Sequence, residues 1–187
     1  MTENSGFVAV TTSEISSIDE LLPLIEDYQR FYGVEPNHEH NKTFFTSLLD
    51  SKDQGMMLEA KFLTGSIIVG YACLHWRLDT VSARSVVCLH DLYVSPEHRR
   101  KRVGDALLKA AAANAYLRGA EALVWTTAPD NTGAQALYDS AGATRSSWIE
   151  YELPLNSPSK HLWQGSKKRA KLEVVVSWLG GRALSRF

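Results

Sequence analysis

Cysteine is scarce: Cys73 and Cys88 are the only two in 187 residues, and their spacing is not that of a metal clip. Both sit inside apolar segments, so they read as small buried hydrophobes of a reducing compartment, with no disulfide framework and no metal expected. No apolar run approaches the roughly 20 residues needed to span a bilayer. The first residues, Met1-Thr2-Glu3-Asn4-Ser5, lack the basic region and apolar core of a secretory signal. The expected compartment is the cytoplasm, with no membrane partner. Neither charge dominates: 20 basic against 21 acidic residues leave a net charge of −1, which gives no support for general binding to nucleic acid. Two phosphate-binding motifs are also missing. Without Gly-x-x-x-x-Gly-Lys-Ser/Thr the chain is no Walker-type triphosphatase, and no Gly-x-Gly-x-x-Gly follows a strand. What remains is 44% hydrophobic and 22% charged, the balance of one globular domain with a short appendage.

Against these absences stands one dense stretch, residues 90–107. Residues 86–94 are mostly apolar and read as a strand, which Pro96 ends because it has no N–H for a ladder. Val103, Ala106, Leu107, Ala110 and Leu117 then recur at helical spacing, and Gly119 supplies the stop. Between strand and helix stand Arg99, Arg100, Lys101 and Arg102. A helix start carries unpaired N–H groups and partial positive charge, so cations there are unfavourable unless an anion joins them. The turn reads as a phosphate site.

In chain order, residues 7–10 suit a first strand. Ser17 with Glu20 forms a capping-box pattern ahead of Ile18, Leu21, Leu22, Ile25 and Tyr28 at helical spacing, with a kink expected at Pro23. Residues 41–49 suggest a second amphipathic helix. Strands are expected over 56–63 and 67–76, and a hairpin over 79–84 leads into the strand ending at Val94. After the long helix come a strand over 122–127, a helix over 131–141 and a last alternating strand over 147–155. The order β-α-α-β-β-β-α-β-α-β implies an α/β (α+β) domain over residues 1–155, one mixed sheet flanked by helices. Residues 156–187 form a basic tail through Lys160, Lys167, Lys168, Arg169, Lys171, Arg182 and Arg186. It is expected to be poorly ordered or foreign to the domain, the alternative being an arm for an acidic partner.

The turn Arg99-x-x-Arg102-x-Gly104-x-Ala106 resembles the acetyl-CoA-binding motif of the GNAT N-acetyltransferases, Gln/Arg-x-x-Gly-x-Gly/Ala. Downstream, Asn131-Thr132-Gly133-Ala134-Gln135-Ala136-Leu137-Tyr138-Asp139-Ser140-Ala141-Gly142-Ala143 resembles that family's Asn-x-x-Ala-x-x-Leu-Tyr-x-x-x-Gly-Ala segment. The order of elements matches over residues 7–155, so the resemblance implies the GNAT fold. It also implies that the turn from Arg99, Arg100, Lys101 and Arg102 through Val103, Gly104, Asp105 and Ala106 cradles the CoA pyrophosphate. Leu92 and Val94 would offer backbone groups to the pantetheine arm and the acetyl oxygen. One residue departs from the pattern. Arg102 stands where the family has its first glycine, and it is expected to build the turn without positive φ. Tyr28-Gln29-Arg30-Phe31-Tyr32, Val69-Gly70-Tyr71-Ala72 and Leu89-His90-Asp91-Leu92-Tyr93-Val94 look closest to the diamine and polyamine acetyltransferases and their amino-acid-acetylating relatives.

The chemistry so implied is direct acetyl transfer from acetyl-CoA to a primary amine. It needs a neutral amine, a place for the charge on the carbonyl oxygen, and a proton for the departing thiolate. His90 stands where the polyamine enzymes carry a glutamate base, and an imidazole titrating at about 6.5 suits that task. The residues alone leave another reading open, since a His-Asp pair inside an apolar strand must find partners or face a cavity. Alternation puts Asp91 on the opposite face from His90, so it is not expected to orient the imidazole. Tyr138 matches the family's general acid, with a core tyrosine as the alternative. Asn131 matches a CoA contact and also suits a helix N-cap. Cys88, on the face of His90, raises an acetyl-cysteine route that direct transfer does not require. Glu26, Asp27, Glu35, Glu39, Asp79, Trp76 and Asp91 are candidates for the acceptor site. The acceptor is expected to be a polyamine, diamine or amino acid. The alternatives are a protein lysine or N-terminal acetyltransferase, and a CoA-binding module without turnover. A homodimer is expected by analogy alone.

Overall fold

The computed structural model describes residues 7–153. The chain divides at Thr144; the first unit holds every helix and strand below, and the second is described over 145–153, where neither forms. The strand expected over 147–155 is therefore absent from 147–153. Alternation states which face each side chain would take once paired, but it does not supply the pairing. Residues 154–155 and the basic tail lie outside the described residues.

Four helices accompany the sheet: α1 (Ile18–Phe31), α2 (His38–Asp50), α3 (Val103–Leu117) and α4 (Thr132–Ser140). The strands β1 (Val8–Thr12), β2 (Gly55–Phe62), β3 (Ile68–Asp79), β4 (Arg84–Val94) and β5 (Ala122–Val124) lie side by side in sequence order. The first three pairings are antiparallel. The β4–β5 pair is parallel, which a tight turn cannot make, and α3 provides the crossover. Met57, Tyr71, Cys73 and Tyr93 form one face of the sheet and pack with Leu21, Leu22 and Ile25 of α1 and Phe45 and Leu48 of α2. Leu58, Ala72, Leu74, Val87 and Leu89 pack on the other with Val103, Leu107, Leu108 and Ala111 of α3. Leu21, Leu22 and Ile25 are almost wholly buried, and each contributes about 1.5–3 kcal/mol.

Local details refine the sequence expectations. The capping box at Ser17 does not form, because a 3-10 turn (Ile15–Ser17) runs straight into α1. Ser17 itself takes helical angles, and its side chain makes no capping bond. Pro23 lies on the exposed side of α1, where water can serve the carbonyl it leaves without a partner, and the helix continues through it. Asn37 caps α2 by accepting from the His40 N–H at 3.0 Å. Gln29 and buried Asn41 then exchange two side-chain hydrogen bonds, 3.0 and 2.8 Å, tying α1 to α2.

Candidate active site

Two features of β4 build the site. Cys73 of β3 pairs with Asp91 while Leu74 pairs with Leu89, so His90 is an extra residue, a β-bulge. In addition, β5 pairs with β4 only over Val86, Val87 and Cys88. Beyond the bulge, among the described residues, no strand lies against the β5-side edge of β4. An extended chain carrying amides can lie along such an edge. Leu92 and Val94, assigned by resemblance to the pantetheine arm, stand on it; the Val94 carbonyl already accepts from Arg99 Nε at 3.0 Å.

The bulge overturns the expectation for Asp91. Because the extra residue resets the alternation, Leu89 packs toward α3, whereas Asp91 lies opposite Cys73 on the α1 face. His90 and Asp91 are then able to meet: His90 Nδ1 lies 3.0 Å from Asp91 Oδ1. The carboxylate can only accept, so it selects the tautomer with hydrogen on Nδ1 and leaves Nε2 as the basic nitrogen. His90 is largely exposed, and Asp91 is largely buried beneath it.

A second imidazole, overlooked in the sequence, stands beside the first. His75 of β3 approaches His90 with ring centroids 5.2 Å apart, and its Nε2 is 3.4 Å from Cys73 Sγ. Burial, with the nearby His90 second, pushes the proton affinity of His75 below the ordinary imidazole value. Its signal in the sequence was the same as that of His90, a polar residue interrupting an apolar strand.

Tyrosines close the site. Tyr28 packs edge-on against Tyr32, Tyr71 and Tyr93, with centroids 5.0, 6.2 and 5.8 Å away. Burial, then the charge of Asp91, raises the Tyr28 and Tyr71 phenols far above the usual range. Tyr138 of α4 packs on the α3 side of the sheet, yet it feels Tyr32 of the α1 terminus. Burial, with Tyr32 adding to it, raises the Tyr138 phenol, so it holds its proton throughout the neutral range. Trp125, the first residue after β5, stands edge-on to Tyr138 at 5.0 Å.

The basic turn departs from expectation at Arg102. That residue has φ +65° and ψ +10°, a left-handed conformation, and Arg100 is also left-handed at φ +60°. The turn keeps the backbone path of the glycine pattern, and the arginines bear the strain of about 1–2 kcal/mol each. Charge opposition at the helix start is relieved from within. Asp105, in the first turn, accepts from Lys109 at 3.0 Å and from Arg102 at 3.3 Å, which holds its carboxyl below the usual range. Arg99 turns back over Tyr93, while Arg100 and Lys101 lie exposed. The first N–H groups of α3, at Val103, Gly104 and Asp105, have no intrahelical acceptors, and Ala106 N–H bonds to the Arg102 carbonyl. Gly104 stands where a β-carbon would come 3.3 Å from Leu137 Cδ2, so the α3 start and α4 share a tight seam. Asn131 caps α4 by accepting from Ala134 N–H at 3.2 Å. These residues fit a pyrophosphate at the turn and a slender arm along β4.

The candidate acceptor residues divide. Asp91 joins the cluster. Glu26 and Asp27, on α1, pair with Arg30 at 3.5 and 2.8 Å, and Glu26 also meets His38 at 2.8 Å. Glu35 lies exposed in the α1–α2 connection and Glu39 in the first turn of α2. Asp79 is bound to Arg84 at 3.1 Å in the β3–β4 hairpin. Trp76 belongs to the α3 side, where its indole donates to the Lys52 carbonyl and Arg118 covers its ring. The structure does not bring Trp76 or Asp79 to the cluster.

A parted strand pair, a helix start with unpaired N–H groups and a protonated phenol are together the arrangement that an acyl-CoA-dependent transferase requires. Residues 21–143 match the model of the acetyltransferase (GNAT) family, and the chain belongs to that family. It is similar to YhfO of Bacillus subtilis (strain 168), an uncharacterized N-acetyltransferase, at 25% identity over 81% of this chain and 99% of that one. A crystal structure of a probable acetyltransferase superposes with TM-score 0.72 at 28% identity, covering 79% of this chain and 97% of that chain. The aminoglycoside N-acetyltransferase AAC(6')-Iy in complex with CoA shares the fold, with TM-score 0.69 at 16% identity, over 83% of this chain and 99% of that chain. The protein is an N-acetyltransferase of this family, whose acetyl donor is acetyl-CoA.

Proposed function

We propose that the protein acetylates a primary amine of a small cationic molecule, a diamine or polyamine in preference to an amino acid, by direct transfer. The observation that carries this reading is the imidazole of His90 on the β4 bulge, backed by Asp91 at 3.0 Å, beside the edge where β4 and β5 part. His90 Nε2 removes a proton from the acceptor ammonium, directly or through one water. The neutral amine then attacks the acetyl carbonyl, whose oxygen is served by the backbone of β4. Tyr138 gives its proton to the departing CoA sulfur, and the proton shed by the acetylated nitrogen restores it through solvent. Arg99 through Ala106, with Asn131 at the start of α4, hold the CoA moiety.

Charge supports the acceptor class. Asp91, Glu26 and Asp27 are three carboxylates along α1 and the bulge; Glu26 and Asp27 share the single guanidinium of Arg30, with His38 beside Glu26, so negative charge is in excess. A second ammonium finds partners there, whereas a substrate carboxylate meets like charge. An acetyl-CoA consumption screen over diamines, polyamines, amino acids and a lysine-bearing peptide tests the reading. Turnover with the diamines and polyamines is expected. Turnover confined to the peptide or the amino acids overturns the acceptor class. Calorimetry showing no acetyl-CoA binding overturns the whole assignment.

A further inference from the structure

The phenol of Tyr138 rides on α4, a helix of nine residues. Within its own connection, Asn131 caps the first turn, and Gln135 Nε2 donates to the carbonyls of Ala128 at 3.2 Å and Pro129 at 2.9 Å. Toward the rest of the domain, Leu137 lies against the α3 start at Gly104. This is one contact between α4 and the rest of the domain. The second is aromatic: β5 stops pairing at Val124, and the next residue, Trp125, sets its indole at 62° to the Tyr138 ring with centroids 5.0 Å apart. Both rings are half-buried against the α3-side core. Edge-on contact is a favoured arrangement of two aromatic rings, so it resists rotation of either. The titratable groups whose charge bears on the phenol are Tyr32 and Tyr28 of α1.

We propose that Trp125 is the positioning residue for Tyr138: its indole fixes the direction of the phenol and excludes water from its face, so that the hydroxyl meets the departing thiolate. This rests on the reading of Tyr138 as the acid. A donor swung by about 1 Å costs on the order of 10²-fold in rate. The parting of β4 and β5 thus opens a path for the CoA arm and also turns out the side chain that aims the acid.

Tyrosine-ring carbon-13 labelling tests this without any acceptor, the Tyr138 resonance being identified by its loss in Tyr138→Phe. In Trp125→Ala the resonance moves, and its titration falls toward the ordinary phenol value as water enters. In Trp125→Phe, which keeps an aromatic face, both stay near wild type. An unmoved resonance and titration in folded Trp125→Ala overturns the proposal; should that variant unfold, Trp125→Leu carries the same comparison. With spermidine and acetyl-CoA, Trp125→Ala lowers kcat about tenfold in the wild-type background and less than twofold in Tyr138→Phe. Equal losses in both backgrounds also overturn the proposal. If Tyr138→Phe alone leaves kcat intact, it is the acid role that falls, and the labelling result decides what Trp125 does to the ring.

Discussion

His90 and Asp91 are consecutive in β4, yet their side chains meet, Nδ1 to Oδ1, at 3.0 Å. Only a bulge permits this, because consecutive residues of a regular strand point to opposite faces. The pairing fixes the tautomer that presents Nε2 to an acceptor. Asp91→Asn keeps the shape and loses the charge that supports the imidazolium formed when His90 takes a proton. It is expected to lower kcat by at least about tenfold with a small change in acetyl-CoA affinity. His90→Ala should remove the acid limb of the pH–rate profile, and persistence of that limb would assign the proton to another base.

Tyr138→Phe deletes one oxygen from a ring whose packing against Trp125 and the α3-side core remains. The expected outcome is a fall in kcat of about 10²-fold or more, with acetyl-CoA affinity within a factor of a few. Steady-state kinetics beside calorimetry separates the two quantities. An unchanged kcat would reduce Tyr138 to a core tyrosine.

The elements were legible because burial imposes a period. Ile18, Leu21, Leu22 and Ile25 recur at helical spacing on α1, and from Tyr71 to Leu74 of β3 successive residues alternate between the two sheet faces. What escaped was register. Nothing in the residues of β4 says that His90 has no partner on β3, because a bulge is a property of two strands. The contacts of Tyr28 with Tyr71 and Tyr93 escaped for a similar reason, joining the end of α1 to side chains of β3 and β4. Arg102 escaped in the opposite direction. Its residue type argued against a left-handed turn, and the backbone took that path regardless.

Arg102 is therefore a place where stability can be gained. Glycine adopts φ +65° without a β-carbon penalty, whereas an arginine there is strained. Arg102→Gly is expected to stabilise the fold by about 0.5–1 kcal/mol after the added unfolded-state entropy is offset. Arg102→Val, β-branched at the same φ, should destabilise by more than that. The guanidinium is well exposed and shared with Asp105, so its loss should weaken acetyl-CoA binding by no more than about fivefold. Thermal unfolding of the two variants decides, and equal melting temperatures would show that the turn carries no strain.

His75 gives the fold a pH dependence of definite sign. Burial and His90 lower its proton affinity in the folded chain, while the unfolded chain keeps an ordinary imidazole near about 6.5. Below that value the unfolded state binds more protons, so stability falls as pH drops through the folded value. Above about 6.5 the contribution is fully present. Unfolding measured between about pH 5 and 7 should show this slope, and His75→Gln should flatten it. A slope unchanged in His75→Gln would place its origin elsewhere.

Gln29 and Asn41 offer the clearest test of how the α1–α2 pair supports the site. Their amides exchange two hydrogen bonds, and Asn41 is almost wholly buried. Asn41→Leu keeps the branched outline but leaves the Gln29 amide against an apolar group, at a cost of about 1–3 kcal/mol. Replacing both residues by leucine removes the stranded amide, so the double variant should be more stable than the sum of the single ones predicts. Gln29 also lies between Tyr28 and Tyr32 along α1, whose rings meet at 5.0 Å beside the cluster. If the amide pair holds those rings in place, Asn41→Leu should lower kcat/KM well below the optimum temperature, where the protein remains folded. Loss of stability with kcat/KM intact would confine the amide pair to holding the helices together.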